Sequence, residues 1–378
     1  MKLSLFKDLV EAIFIERSNR FVVECRIGGR RARAYLPNPG RLWELLLPEV
    51  TLLLEPARKR EGLPYTVVAV KRDGLPVMLH THRTNQLAAF LVNRGAIKGL
   101  EGFRVVKEEV AHGDSRFDLL LENERGEKLL TEVKSVTLYS GRLAMFPDAP
   151  TVRGLKHLNA LEGLGGGVSG AVLFVVFSGE AEYFLPEFHI DPQFAHTLMK
   201  IKDRVEIIPI GVELTERLEL KPPVRRLTIP WHIVEKEAGD SGAYMLILRA
   251  NKPQRVTIGE KTVELEEGYY TYVGSARKGL TKRIAHHMRK RKRLFWHIDH
   301  IRAVTEPLKA IPIRTRDSIE CELAESLGTL FSPLKGLGSS DCRCPAHLFY
   351  SPRDPLKIPE FIALILHYRM DRLVETGL

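Results

Sequence analysis

Asp118 sits in the run RFDLLL, and Glu132 and Lys134 follow in LLTEVKS after thirteen intervening residues. Residues two apart on a strand share a face, so Glu132 and Lys134 point the same way and a neighbouring strand can bring Asp118 beside them. Thirteen residues are enough for one strand to end, turn and return. Two carboxylates so placed can hold a hard divalent cation, Mg²⁺ or Mn²⁺, with water positions left open. A lysine at their side can orient or deprotonate water, or stabilise charge on a phosphate. Exposed hairpin edges carrying solubilising charge would show the same three residues. The apolar neighbours Leu129, Leu130 and Val133 favour an inner strand, where charges need partners or a metal. No organic cofactor is expected.

A second set lies towards the C-terminus. Gly242-Ala243-Tyr244 opens one predicted strand and Tyr272-Val273-Gly274 closes another. Two tyrosines on adjacent antiparallel strands place both phenols on one face, where one can act as general base or position water. These tripeptides resemble the paired signature of the GIY-YIG nuclease domain, with Ala243 and Val273 where isoleucine is usual. The resemblance implies that Arg283, on the helix after Gly279-Leu280, contacts the scissile phosphate and that a glutamate on a later helix holds the metal. Glu322 in ECELAESL is the choice, with Glu320 and Glu325 as neighbours. WHIDH and GLGSSDCRCPAHLF resemble a less characterised branch of that superfamily, over roughly residues 242–350.

Nine Lys or Arg residues and no acidic one lie between Arg277 and Arg293. Lys282, Arg283, Arg289, Lys290, Arg291, Lys292 and Arg293 are the expected phosphate contacts, giving salt-sensitive affinity independent of sequence. A solvated helix face is the alternative. Cys342-x-Cys344-x-x-His347 invites zinc, with Cys321 or His297 as fourth ligand. Paired cysteines in structural zinc sites are usually two to four residues apart, so a structural turn is preferred here.

These residues need elements to position them. Residues 1–82 read as short strands with turns at Gly28-Gly29 and Asp73-Gly74 and a short helix near 40–46, which suits a small OB-like barrel. Residues 83–220 read as helix, three-strand meander, helix and buried strand, an α/β arrangement with a mixed sheet. KPPVRR opens an extended linker, 221–241. A small α+β unit follows over 242–350, then a helical extension, 351–378. The chain has 378 residues, more than one core usually serves. A formal net charge of +10 suits an anionic partner such as DNA, with RNA possible. No apolar run approaches membrane-spanning length, no leader peptide is evident, and four cysteines are too few for a secreted disulfide framework, so a reducing cytoplasm and no membrane partner are expected. The oligomeric state is left open.

PNPGRL (37–42), SRFD (115–118), EVKSVTL (132–138), FPDAPTVRGLKHL (146–158) and HIDPQFA (189–195) together resemble the sugar fermentation stimulation protein (SfsA) family over most of residues 1–215. The resemblance implies an OB-like domain followed by a restriction-endonuclease-like domain of PD-(D/E)XK type, and DNA binding of low sequence specificity. It makes Asp118, Glu132 and Lys134 the catalytic core and Glu109 a further metal ligand. Arg153, Lys156 and His157, on the following helix, are placed to reach a phosphate. Many nucleases of this type carry a glutamate on the first core helix; QLAAFLVN (86–93) has none.

Overall fold

A computed structural model describes residues 3, 5–57, 62–289, 294, 296–339 and 342–378. Short segments rich in apolar and β-branched residues in the first eighty positions form β1 (Val10–Asn19), β2 (Val22–Ile27), β3 (Arg30–Tyr35), β4 (Thr51–Pro56), β5 (Tyr65–Arg72) and β6 (Leu75–Met78). Their order is β3-β2-β1-β4-β5-β6, and a parallel pairing of β3 with β5 closes the first five into the expected OB-like barrel. Gly28-Gly29 and Asp73-Gly74, all at positive φ, make the two tight hairpins. Residues 40–46 depart from expectation: they form a turn, not a helix. Leu42 adopts φ 53°, outside the helical region, while its N–H donates to Asp148 Oδ2 at 3.3 Å. Arg17 fixes the same loop by donating to the carbonyls of Asn38, Gly40 and Arg41.

The chain continues through α1 (Thr81–Asn93), β7 (Arg104–His112), β8 (Ser115–Glu122), β9 (Lys128–Val136), β10 (Leu138–Ser140), β11 (Leu143–Phe146), α2 (Val152–Glu162), β12 (Val168–Val176), β13 (Tyr183–Pro186), α3 (Pro192–Lys200), β14 (Val205–Leu214) and β15 (Leu220–Arg226). The main sheet is mixed, ordered β15-β14-β12-β9-β8-β7, with β9, β12 and β14 parallel. Strand β12 is apolar on both faces because both are covered. Ala171, Leu173 and Val175 join the cluster that the barrel and α1 share, while Val172, Phe174 and Val176 join the cluster under α2 and α3. The KPPVRR segment, expected as linker, is extended but belongs to this sheet as its edge strand, a place that tolerates prolines.

Two compact units divide between Val234 and Glu235, within α4 (Trp231–Glu237). The second unit contains β16 (Gly242–Ala250), β17 (Gln254–Ile258), β18 (Lys261–Leu265), β19 (Gly268–Ala276), α5 (Leu280–Met288), α6 (His297–Val304), β20 (Glu306–Arg314), α7 (Glu320–Gly328), β21 (Ser332–Pro333), β22 (Leu348–Ser351), α8 (Pro359–Leu366) and α9 (Arg372–Gly377). Its antiparallel sheet is ordered β20-β16-β19-β22-β21, with β17–β18 a separate hairpin. The C-terminal segment packs on this unit: Arg369 donates to the Pro312 carbonyl and Arg372 pairs with Asp317. Among the described residues, no helix is long and apolar enough to cross a membrane.

Candidate nuclease-like sites

Strand β9 carries Leu130, Glu132, Lys134 and Val136 at alternate positions, and the outer two pack in the α2–α3 cluster. Glu132 and Lys134 therefore share a face, and Glu132 is almost fully buried. Strand β8 pairs with β9 only from Leu119 onward, so at Asp118 the two strands part. The Asp118 carboxylate spans that gap: Oδ2 accepts from the Val133 N–H at 2.7 Å and Oδ1 from Asn85 Nδ2 at 2.6 Å. Lys134 Nζ and His157 Nδ1 both lie against Glu132 Oε1, the histidine at 2.5 Å. The structure thus brings Asp118, Glu132 and Lys134 to one place.

The two carboxyls are opposite in character. Burial, reinforced by the Glu132 charge, pushes Asp118 up to about 6, against donation from Val133 and the nearby Lys134. Burial would raise Glu132 too, but His157 and Lys134 outweigh it and hold that carboxyl below its ordinary value. Glu132 Oε2 is buried without a hydrogen-bond partner among the described residues. A buried oxygen left in that state is costly, and a hard cation would satisfy it. Asp118 and Glu132 are carboxylate donors of the kind a hard divalent cation takes. These residues line a cleft of about 340 Å³, together with Arg20, Asn38, Asn85, Asp148 and Arg153.

Three expected residues lie elsewhere. Glu109 adopts φ 53° on β7, which turns it off the regular strand pattern; its half-exposed carboxylate meets Arg116 at 2.6 Å, not Asp118. His157 faces inward from α2 and is 3% exposed, so it braces Glu132 and has no surface to offer a phosphate. Lys156 donates to the Asp114 carbonyl at 2.7 Å and is not among the cleft-lining residues. Arg153, exposed, does line the cleft.

In the second unit Tyr244 and Tyr272 lie on paired strands with ring centroids 6.3 Å apart, and the His287 ring is 5.9 and 6.3 Å from them. The glycines of both tripeptides have steric causes. A Cβ at Gly274 would sit 2.5 Å from Tyr244 Oη, and one at Gly242, where φ is +134°, would sit 2.2 Å from the Ile313 carbonyl oxygen. His287 Nδ1 is 3.1 Å from Asp299 Oδ1, and Arg283 stacks over Trp296 at 5.1 Å. Burial and the neighbouring Tyr272 push the Tyr244 phenol far up, so Tyr244 stays protonated. Glu320, not Glu322, is the α7 glutamate on this side. Ser275 Oγ donates to it and His347 Nδ1 lies 3.3 Å away. Burial raises its carboxyl, but His347, Ser275 and Arg283 together hold it below the usual range. Two residues further along a helix of about 100° per residue, Glu322 is exposed and accepts from Tyr368 Oη at 3.3 Å. Lys282 and Arg289 are exposed on and just after α5, and Lys290, Arg291, Lys292 and Arg293 lie outside the described residues.

Comparison with known proteins gives this geometry its context. Residues 15–79 match the SfsA N-terminal OB domain and residues 82–217 the sugar fermentation stimulation protein RE domain. A sugar fermentation stimulation protein homolog of Methanothermobacter thermautotrophicus is 37% identical over 235 residues, which span 60% of this chain and 96% of the relative. The chain belongs to the SfsA family. A second homolog, from Pyrobaculum arsenaticum, is 43% identical over 190 residues, covering 50% of this chain and 80% of its own. The solved structure of Pyrococcus furiosus SfsA in complex with Ca²⁺ superposes with a TM-score of 0.56 at 30% identity, covering 61% of this chain and 99% of that one. The SfsA half thus comprises an OB-like barrel and a restriction-endonuclease-like mixed sheet. To it this chain adds residues 243–368, which match a domain of unknown function, DUF123.

Within the SfsA half, sequence reading missed Asn85, Asn38, Arg20 and Asp148. Asn85 occupies α1, where the absence of a glutamate was noted, and its amide supports Asp118. One signal was available for Asp148: it falls inside FPDAPTVRGLKHL, a motif rich in polar residues that no helix or strand pattern requires.

Proposed function

We propose that this SfsA protein binds DNA and hydrolyses its phosphodiester bonds with the help of a divalent cation, at the site formed by Asp118, Glu132 and Lys134. The observation that carries the reading is the buried, unpartnered Oε2 of Glu132 beside Asp118, at the wall of an open cleft that Arg20 and Arg153 also line. Asp118 and Glu132 would hold Mg²⁺ or Mn²⁺, which when bound stabilises negative charge developing on a phosphate. His157 and Lys134 keep Glu132 ionised, and Asn85 and the Val133 N–H fix the orientation of Asp118. Arg153 offers an exposed guanidinium to the backbone of DNA. The Ca²⁺ in the Pyrococcus furiosus relative agrees with a preference for hard cations. In the second unit, Tyr272, Arg283 and Glu320 make a separate GIY-YIG-like candidate centre on the same kind of substrate.

A non-catalytic DNA-binding regulator is the second reading. It is favoured by the full occupation of Glu132 Oε1 by Lys134 and His157 and by the lack of a glutamate on α1. Incubating the full chain with duplex DNA, single-stranded DNA and structured RNA, with and without Mg²⁺ or Mn²⁺, separates the two. Glu132→Gln should slow metal-dependent cleavage by about 100-fold or more while DNA binding persists. Tyr272→Phe should remove only what the second centre contributes. Identical products from wild type and both variants would leave the regulator as the surviving account.

A further inference from the structure

We propose that Cys321, Cys342, Cys344 and His347 form a closed zinc site in the second unit. The four potential ligand atoms all lie within 4.8 Å of one another, although Cys321 stands at the start of α7 and the other three some twenty residues later, before and within the approach to β22. The distance from Cys342 Sγ to His347 Nε2 is 3.4 Å. Zinc–sulfur and zinc–nitrogen bonds of about 2.3 and 2.05 Å at a tetrahedral angle place those two atoms about 3.6 Å apart. The thiols are free rather than joined as disulfides.

The surroundings of His347 suit a ligand. Its Nδ1 faces Glu320 Oε1 at 3.3 Å, which leaves Nε2 for a metal and supplies the outer carboxylate that commonly orients a metal-bound imidazole. Its backbone is already fixed, with its N–H donating to Leu337 and its carbonyl accepting from Val273, both at 2.8 Å. Three thiolates and one imidazole complete a four-coordinate set, which marks a structural zinc rather than a catalytic one. The spacing rule applied to the sequence disfavoured zinc because it considered Cys342 and Cys344 as a pair. Packing selects Cys321, rather than His297, as the fourth ligand. The ion would pin the start of α7, and with it Glu320, to the segment before β22, whose His347 carbonyl accepts from Val273 of the strand β19 that carries Tyr272.

The test is the metal content of the full chain purified under reducing conditions, read by elemental mass spectrometry. About one zinc per chain is expected. Cys342→Ser, Cys344→Ser or His347→Ala should reduce it at least tenfold, while Cys25→Ser and Glu132→Gln leave it unchanged. Because a misfolded variant also loses zinc, the wild-type chain, stripped of metal and titrated with Co²⁺ alone, provides the independent measure. Tetrahedral cobalt bound to thiolates shows intense visible absorption and near-ultraviolet charge transfer, and both should saturate at about one equivalent. A chain that carries no stoichiometric zinc and gives no thiolate–cobalt absorption overturns the proposal. So does a Cys321–Cys344 disulfide found in place of metal in the reduced preparation.

Discussion

A carboxyl that burial and a neighbouring carboxylate push up to about 6 is ionised at a cost, and in the metal-free protein Asp118 bears that cost. In the unfolded chain its pKa is about 3.9, so the folded state binds the proton more tightly. Its favourable contribution is therefore fully present below about pH 4 and is lost as pH rises through 6. Asp118→Asn removes the charge yet keeps an acceptor for the Val133 N–H, and the Asn85 amide can turn to match it. The variant is expected to be more stable than wild type by about 1–3 kcal/mol at pH 7 without metal, the difference shrinking towards pH 4. Urea denaturation at the two pH values measures it; a variant less stable at pH 7 would mean that the hydrogen bonds of Asp118 outweigh its desolvation. For the same reason divalent-cation affinity should fall as pH drops below about 6, because the cation competes with a proton at Asp118. Charge and spacing made Asp118, Glu132 and Lys134 legible in the sequence. Asn85 was not, since an asparagine in an apolar helix has no periodic signature, and His157 was read as surface because only packing shows that its side of α2 is the inner one.

Strands and helices carry the tyrosine pair, and here backbone sterics set the tolerance. Gly274→Ala would bring a Cβ to 2.5 Å from Tyr244 Oη, the end of a fully buried side chain. Overpacking of this kind should destabilise the second unit by about 1–3 kcal/mol. Gly239, exposed and with only Ser241 Oγ near an added Cβ, at an ordinary 3.9 Å, is the control, and Gly239→Ala should change stability by less than about 0.5 kcal/mol. Chemical denaturation of both variants checks the contrast, and equal effects would show that β16 and β19 separate easily enough to absorb the methyl group. The apolar runs of β12 and β16 made these strands readable, as did the paired Gly-x-Tyr and Tyr-x-Gly strings of β16 and β19. Residues 40–46 and 221–226 were misread because tertiary partners decide them. Arg17 and Asp148 hold the first as a turn, and pairing with β14 turns the second from a tether into an edge strand. In α7 the element was legible but its rotation was not, so Glu322 was chosen although Glu320 faces the tyrosines.

At the scale of the whole chain, Met1–Val234 and Glu235–Leu378 are separate compact units; the Asp118–Glu132 carboxylates lie in the first and the Cys321–His347 thiolate cluster in the second. An ion that binds only the folded form stabilises the unit that holds it by RT ln(1 + [L]/Kd), about 2.7 kcal/mol at a hundredfold excess over Kd. Two ions of different chemistry should therefore act on two different unfolding transitions. The chain has three tryptophans, Trp43 and Trp231 in the first unit and Trp296 in the second, beside Arg283. In a Trp43→Phe, Trp231→Phe variant, fluorescence reports the second unit alone, while wild type reports both. Saturating Mg²⁺ should raise the urea midpoint seen in wild type through the Asp118–Glu132 site, and should move that of the double variant only to the extent that the Glu320 centre also takes the ion. Removing zinc with a chelator should lower the midpoint of the double variant, because the thiolate site lies in the unit that Trp296 reports. If Mg²⁺ shifts the Trp296 signal as much as the whole-chain signal, either the cation binds in the second unit or the two units unfold together. Repeating the titration with Glu132→Gln decides between these, since only coupled unfolding depends on a ligand carried by β9.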